Sequence, residues 1–235
     1  MLFNNLLIAA VATLAHMSLV FANAVPYERL EKNNTVLLIV DHQVGLYSLA
    51  RDFEPAQFFR QTVAHAALGK LFDIPVIITA SMATGPNGPI PDEILDLYPD
   101  VPVIQRQGEI NAWDNPDVKK AIKDTGRTQF IIAGLATDVC TTQLALSLRA
   151  EGYSVWANVE ASGTTSALIR DVTNSRLQFA GVQLVGISAI LTELFRDWRS
   201  SSPNAAEFSA WMVKFIPELT WSSRLFEAAK NSTAA

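Results

Sequence analysis

The chain has 235 residues, of which 49% are apolar and 17% are charged, a balance that is typical of a globular protein and excludes a disordered one. The formal net charge is -5, and there is no run of Lys and Arg that would attract a nucleic acid. The single cysteine excludes an intrachain disulfide framework, and three scattered histidines do not indicate a zinc site. We therefore expect one α/β domain with no metal ion and no nucleic-acid partner.

The first 24 residues differ in character from the rest of the chain. An almost unbroken apolar run covers residues 6–21, and residues 22–24 (Ala-Asn-Ala) place small side chains where signal peptidase reads them. The run is short for a membrane span. We predict a cleaved secretory signal over residues 1–24, with an uncleaved anchor as the alternative, and hence a secreted protein. In that case the sequons at Asn33 and Asn231 are candidates for glycosylation.

After this segment, apolar runs rich in β-forming residues alternate with helical patterns. In chain order we predict strand 36–40, helix 54–72, strands 75–80 and 103–104, helix 116–125, strand 129–134, helix 138–151, strand 153–159, helix 167–180, strand 182–185, and helices 188–199 and 204–215. The first strand (VLLIV) is apolar at every position, as in a strand that is covered on both faces. Such alternation predicts right-handed βαβ units and a parallel sheet with helices on both faces.

Three of the predicted strands end near a reactive or charged side chain. Asp41 ends the first strand, Arg106 follows the third and Cys140 follows the fourth. The carboxyl ends of parallel strands meet at one edge of a sheet, where active sites form, so we expect these three side chains to lie together. Each also has a purely structural interpretation: the cysteine as a core residue, the aspartate as a loop cap and the arginine as half of a surface ion pair. Only their combination indicates an active site.

The position of Cys140 suggests a nucleophile. It lies near the start of the predicted helix 138–151, for which Asp138 is a plausible N-cap. Unpaired N–H groups at a helix start favour a thiolate, so we expect a pKa below the ~8.5 of a free cysteine, with an ionised Asp41 acting against that shift. The same N–H groups would hold an oxyanion, while Asp41 exchanges protons and Arg106 holds the carboxylate.

Several segments resemble the isochorismatase-like superfamily of cysteine hydrolases. They are residues 37–43 (LLIVDHQ), 134–140 (GLATDVC) and 160–164 (EASGT). Two further segments resemble the YcaC-type branch in particular, residues 84–89 (TGPNGP) and 108–115 (GEINAWDN). The resemblance runs from about residue 27 to about residue 217. It implies a three-layer α/β/α sandwich with a central parallel sheet, a hydrolase domain over residues 25–217 and a C-terminal tail over 218–235.

The resemblance also implies roles for the site residues. Asp41 and Cys140 match the catalytic aspartate and cysteine of the family, whereas Arg106 stands where the family usually has a lysine. Arginine does not give up its proton, so it would orient groups and stabilise charge only. The family further carries a cis peptide, which would here join Ala136 and Thr137 at the oxyanion site.

Hydrolysis of a small amide or another C–N bond through a cysteine thioester is the function that this resemblance favours. It implies a small-molecule substrate and no cofactor. No histidine occurs between residues 81 and 96, where nicotinamidases bind a metal, so metal dependence is not expected. Phe53 and Trp113 are candidates for the pocket wall. Two alternatives remain open. The first is hydrolysis of isochorismate or another vinyl ether, for example by a secreted effector, and the second is a family member without catalytic activity.

The C-terminal part of the chain suggests self-association. It carries Trp198, Trp211 and Trp221 among many apolar residues, and exposed aromatic clusters of this kind are enriched at interfaces. Many members of the resembled family form homo-oligomers. We therefore expect a tetramer or a larger assembly.

Overall fold

Six parallel strands form the centre of the protein. The computed structural model describes residues 27–221 and 224–225. In it the strands are β1 (Thr35–Val40), β2 (Val76–Ser81), β3 (Val103–Arg106), β4 (Gln129–Gly134), β5 (Ser154–Asn158) and β6 (Gln183–Val185). They pair in the order β3-β2-β1-β4-β5-β6, and every pair is parallel. The two central strands, β1 and β4, are buried at every position, as the continuous apolar pattern of the first strand predicts.

Helices lie between the strands and after the last of them. They are α1 (Pro55–Phe72), α2 (Asp92–Leu95), α3 (Pro116–Asp124), α4 (Thr142–Ala150), α5 (Ala167–Phe179), α6 (Ile187–Phe195) and α7 (Ala205–Phe215), with a π-helical turn over Thr137–Thr141 directly before α4. Short 3-10 turns lie at Lys32–Asn34, Tyr47–Leu49, Ala112–Asp114, Val159–Ala161 and Pro217–Thr220. The long helix α1 begins where Glu54 accepts hydrogen bonds from two backbone N–H groups and Pro55 occupies the first turn.

Both faces of the sheet are covered, because successive side chains of a strand point to opposite faces. On one face Leu37 and Ile39 pack with apolar residues of α1, α6 and α7. On the other face Val36 and Leu38 pack with apolar residues of α3 and α4. These two cores confirm the three-layer α/β/α sandwich with a central parallel sheet.

The C-terminal region departs from two expectations. The helix predicted over 188–199 ends at Phe195, because Arg196 adopts a left-handed φ of 60° and its guanidinium bonds to the backbone of Leu30 and the carboxylate of Glu31. The three tryptophans are not one exposed cluster. Trp211 is buried and its indole N–H donates to the carbonyl of Ala67.

Some sequence predictions concern residues that lie outside the described ranges. These are the secretory signal over residues 1–24, the sequon at Asn231 and most of the tail over 218–235. Of that tail, the 3-10 turn Pro217–Thr220 packs with Thr220 buried. Among the described residues, none of the helices combines the length and the apolar character that crossing a bilayer requires.

Candidate active site

Asp41 is the residue at which the chain leaves β1. Its backbone has a left-handed φ of 54°, a conformation that is uncommon for residues other than glycine. Its N–H donates to the carbonyl of Thr79 at 3.1 Å, and its Oδ1 accepts from the Thr79 hydroxyl at 2.8 Å. The side chain is fully buried. β2 therefore fixes the carboxylate at the carboxyl edge of the sheet.

Arg106 is the last residue of β3 and, among the residues that the structure describes, the largest fully buried side chain. Its Nη2 donates to Oδ2 of Asp41 in an ion pair whose two side chains have no exposed surface. Its Nη1 donates to the backbone carbonyls of Glu109 and Ile110. Burial lowers the pKa of Arg106, but Asp41 and Cys140 outweigh that effect and the net shift is upward. Arg106 is therefore a fixed cation.

Cys140 lies in the π-helical turn after β4 and is half-buried. The Asp41 carboxylate and the Arg106 guanidinium are both near enough to the thiol to shift its pKa. The structure thus brings together the three residues that the sequence placed at strand ends. Burial and the Asp41 carboxylate raise the pKa of Cys140 to about 12, because Arg106 offsets only part of their effect. The expected depression of this pKa is therefore wrong for the free protein.

The turn that carries Cys140 differs from the predicted helix start. The chain forms a π-helical turn over Thr137–Thr141, and α4 begins only at Thr142. The prediction that Asp138 caps a helix is wrong, because its Oδ1 accepts a hydrogen bond from the Thr164 hydroxyl at 2.5 Å instead. The nucleophile turn, as we call residues 137–141, is therefore held by a neighbouring loop.

The cis peptide lies between Leu135 and Ala136, one bond earlier than the expected position between Ala136 and Thr137. Hydrogen bonds fix the backbone on both sides of Ala136. The Leu135 N–H donates to Val40 at 3.1 Å and the Thr137 N–H donates to Gly163 at 2.9 Å. The Thr137 N–H is thus not available for an oxyanion.

The two aromatic residues expected at the pocket wall have different surroundings. Phe53 is half-buried and stacks on Phe58 with ring centroids 5.3 Å apart, in a small cluster that includes Leu135. Trp113 belongs instead to the core on the α3 and α4 face, 6.4 Å from the Tyr153 ring. The Trp113 ring is largely buried in that core, and its place at a pocket wall stays a prediction.

One surface groove does not contain Asp41, Arg106 or Cys140, the three residues that we call the triad. Its volume is about 440 Å³, and it is lined by Val44, Tyr47, Phe59 and residues 89–93. Three apolar residues adjoin the triad along the chain or through hydrogen bonds, and we call Met82, Ile110 and Val139 the rim residues. All three are at least a third exposed. Met82 donates its N–H to the Arg106 carbonyl at 3.0 Å, Ile110 accepts from the Arg106 guanidinium at 3.0 Å, and Val139 precedes Cys140.

Two buried histidines lie behind the site. His42 donates from Nε2 to the Ala161 carbonyl at 2.8 Å, and His65 donates from Nε2 to the Leu38 carbonyl at 3.1 Å. Burial lowers the pKa of His42 to about 4 and that of His65 to about 3, so both are neutral at physiological pH. Within residues 27–221 and 224–225, no three His, Cys, Asp or Glu side chains cluster in a way that would hold a metal ion.

Sequence reasoning missed Thr79 and Thr164, the two hydroxyl donors to the acidic groups of the site. Thr79 is the polar residue within an otherwise apolar predicted strand, which was an available signal. Thr164 ends the segment EASGT, which carried the family resemblance but had no role assigned. Its contact with Asp138 joins residues 26 positions apart, and neither helical nor strand periodicity indicates such a contact.

Comparisons with known proteins show to which family the chain is similar. Residues 35–189 match the isochorismatase domain. The chain is 48% identical over 175 residues to "Probable hydrolase YcaC" of Escherichia coli (strain K12), which covers 74% of this chain and 84% of the relative. The crystal structure of the Escherichia coli YcaC gene product, an octameric hydrolase of unknown specificity, matches with a TM-score of 0.83 and 42% identity, over 88% of this chain and 100% of that one. YcaC from Pseudomonas aeruginosa, with hexane-2,5-diol and covalent acrylamide, matches with a TM-score of 0.83 and 41% identity, over 87% and 100%.

Proposed function

This chain belongs to the isochorismatase family of hydrolases, and from that premise we propose that it cleaves a small neutral amide, or a related C–N bond, through a thioester on Cys140. The observation that carries the proposal is the meeting of one thiol, one carboxylate and one guanidinium at the carboxyl edge of the sheet. Cys140 is the nucleophile, Asp41 the proton carrier and Arg106 the fixed cation that holds the carboxylate.

The raised pKa of Cys140 makes Asp41 essential to the proposed reaction. The thiol is protonated before substrate binds, so Asp41 takes its proton as sulfur attacks the carbonyl carbon. Asp41 then gives that proton to the leaving amine as the C–N bond breaks. In the second half, Asp41 takes a proton from the water that attacks the thioester, and the departing sulfur recovers it. Arg106 stays protonated throughout.

The oxyanion in this scheme is held by backbone donors of the nucleophile turn and its approach. The N–H groups of Ala136 and Cys140 are the proposed donors, because that of Thr137 is already bonded to Gly163. Preorganised donors of this kind typically account for about 10²–10³ in rate each.

A similar protein carries a covalently bound amide. The Pseudomonas aeruginosa protein contains covalent acrylamide, a neutral amide whose alkene accepts thiols. Cys140 is the only cysteine of this chain. By analogy we propose that Cys140 would form the corresponding adduct here.

The charge of the site favours a neutral substrate over isochorismate, which carries carboxylates. The guanidinium of Arg106 is already committed to Asp41 and to two backbone carbonyls. The rim residues Met82, Ile110 and Val139 are apolar. An anion approaching Cys140 would also meet the Asp41 carboxylate.

A substrate screen with purified protein tests the proposal. Short aliphatic and aromatic amides, together with isochorismate, are offered to the wild type and to Cys140→Ala, and the release of ammonia or of pyruvate is measured. We expect ammonia release from at least one neutral amide, lost in Cys140→Ala. Cleavage of isochorismate that survives in Cys140→Ala would establish the vinyl-ether alternative. An absence of both activities, with Cys140 inert to acrylamide, would favour a family member without catalytic activity.

We also propose that the chain forms a homo-oligomer, because the similar Escherichia coli protein is octameric. The apolar surface of α5 is a suitable interface. Leu168, Val172 and Phe179 lie on one side of that helix and are 71%, 61% and 94% exposed, which is unusual for side chains of this size. Light scattering should give a tetramer or a larger species for the wild type and a smaller one for Phe179→Glu. A monomeric wild type at micromolar concentration would refute the proposal.

Secretion remains a proposal that rests on the N-terminal sequence. Among the described residues, Asn33 of the first sequon is exposed, as glycosylation requires. N-terminal sequencing of protein from the native host should begin at or near Val25. An intact Met1 in cytosolic protein would contradict this.

A further inference from the structure

The segment Ala161–Thr164, which we call the ASGT loop, packs against the nucleophile turn. The carbonyl of Gly163 accepts from the Thr137 N–H at 2.9 Å. The hydroxyl of Thr164 donates to Oδ1 of Asp138 at 2.5 Å. Two consecutive residues of the turn are therefore bound to this loop, just before Cys140.

The loop itself is anchored from the other side. Thr164 is fully buried, its N–H donates to Oδ1 of Asp52 at 2.8 Å, and its carbonyl accepts from the Arg51 N–H at 2.8 Å. Thr164 thus uses its N–H, its carbonyl and its hydroxyl at once. The first two groups fasten it to the segment after β1, and only the hydroxyl reaches the nucleophile turn.

The loop is closely packed at Gly163. A Cβ at Gly163 would lie 2.6 Å from Cβ of Ala50 and 2.8 Å from the Phe58 ring, closer than carbon atoms approach. Ala161 accepts the hydrogen bond from His42, the residue after Asp41. One short loop is therefore in contact with the chain on both sides of the site, next to the proton carrier and next to the nucleophile.

We propose that Thr164 is a positioning residue, which acts through Asp138 to hold the Cys140 thiol in line with the Asp41–Arg106 pair. This rests on the proposed thioester function. The link joins a hydroxyl donor to a carboxylate acceptor, and charge-assisted hydrogen bonds of this kind are stronger than neutral ones. Asp138 lies in the same turn as Cys140, and a displacement of about 1 Å at a reacting group costs up to about 10²-fold in rate.

Thr164→Val and Thr164→Ser form a matched pair that isolates the hydroxyl. Valine has the shape of threonine and keeps the backbone bonds to Asp52 and Arg51, but it removes the donor to Asp138. Serine keeps the donor and removes one methyl group. Thr125→Val is the remote control. Thr125 donates its hydroxyl to the Ile122 carbonyl at 2.7 Å after the end of α3, and the next strand begins at Gln129, so it lies at the amino edge of the sheet.

Two readouts are measured for each variant, the kcat and KM for the best amide of the screen and the pH profile of acrylamide addition to Cys140. For Thr164→Val we expect kcat to fall about 10–100-fold with KM changed less than about 3-fold. Acrylamide addition should slow about 10-fold at neutral pH, and its pH profile should move towards that of an exposed thiol. Thr164→Ser should recover most of the rate and the wild-type profile, and Thr125→Val should change neither.

Several outcomes would overturn the inference. One is that Thr164→Val stays within about 3-fold of the wild type in both readouts. Another is that Thr164→Ser is as impaired as Thr164→Val. If Thr164→Val does not fold, Asp138→Asn replaces it, since the amide oxygen still accepts but without charge, and an unchanged pH profile there would refute the proposal. If the wild type cleaves no amide, the proposed function fails, while the acrylamide series still decides the role of Thr164.

Discussion

Two ion pairs of this protein contain the same charges in opposite surroundings. The Asp41–Arg106 pair is at the carboxyl edge of the sheet, with both side chains 0% exposed, whereas the Lys120–Asp124 pair on α3 is 72% and 61% exposed. Water screens the exposed pair, so it contributes little to stability. The buried pair costs the desolvation of two charges, and a pair of apolar residues would often be at least as stable there. The buried pair is therefore best explained by its contact with Cys140 rather than by stability.

The largest expected effect comes from removing the proton acceptor of the buried pair. Asp41→Asn keeps the shape of the side chain but does not accept the thiol proton, so we expect kcat for amide hydrolysis to fall about 10²–10⁴-fold. Arg106→Lys should retain part of the activity because a cation remains beside the carboxylate. Steady-state kinetics on the amide from the screen check both. A fully active Asp41→Asn would show that the buried carboxylate has no role in proton transfer.

Replacing Arg106, the other partner of the buried pair, should cause the largest loss of stability. Arg106→Gln leaves Asp41 buried and uncompensated, so the free energy of unfolding should fall by about 3–5 kcal/mol. Urea denaturation followed by circular dichroism measures it. A loss as small as that of an exposed pair would mean that water reaches Asp41, and the contrast between the two regions would then disappear.

The dependence of stability on pH should show the same difference between buried and exposed titratable groups. His42 and His65 have pKa values lowered by burial to about 4 and about 3, below the ordinary value of 6.5. As the pH falls below 6.5, the unfolded chain takes up protons that the folded protein does not. Stability is therefore lost on acidification, by up to about 1.4 kcal/mol per pH unit for each histidine.

The exposed carboxylates act in a lower pH range. The Arg199 side chain lowers the pKa of Asp197, and that contribution is lost only as the pH falls below the ordinary value of an aspartate, about 3.9. Urea midpoints between pH about 6.5 and about 5 therefore report mainly the histidines. His65→Gln should reduce the slope in this range, and an unchanged slope would show that His65 is already protonated in the folded protein.

The smallest effect is expected on α3. Lys120→Gln removes one partner of an exposed pair, and both side chains keep their hydration. The urea midpoint and the hydrolysis rate should match those of the wild type within error. A marked loss of stability would mean that exposure does not separate the two ion pairs, contrary to the comparison above.

Much of the fold was predictable from the sequence, because strand and helix patterns are local. The strand over 129–134 was predicted at its observed bounds, and α1 differs from its prediction only by the cap at Glu54. The end of α6 was not predictable, since Arg196 stops the helix through bonds to Leu30 and Glu31, more than 160 positions away.

The sequence was enough to predict which three residues meet at the site, but not the details of their surroundings. Parallel topology alone brings Asp41, Arg106 and Cys140 to one edge, and the structure places them there. The shift in the pKa of Cys140 was predicted in the wrong direction, because a sequence contains no measure of burial or of the distance to Asp41. Asp138 was assigned to a helix cap because its true donor, Thr164, lies on a different loop.

The central claim is that Asp41 removes the proton from a thiol that is otherwise protonated. The most direct test compares the rate of acrylamide addition to Cys140 in the wild type and in Asp41→Asn at neutral pH, by intact-protein mass spectrometry with Cys140→Ser as the blank. If Asp41 is the base, Asp41→Asn should react at least about 10-fold more slowly. If Cys140 is already a thiolate, removal of the neighbouring negative charge would leave the rate equal or raise it, and that result would contradict the proposed mechanism.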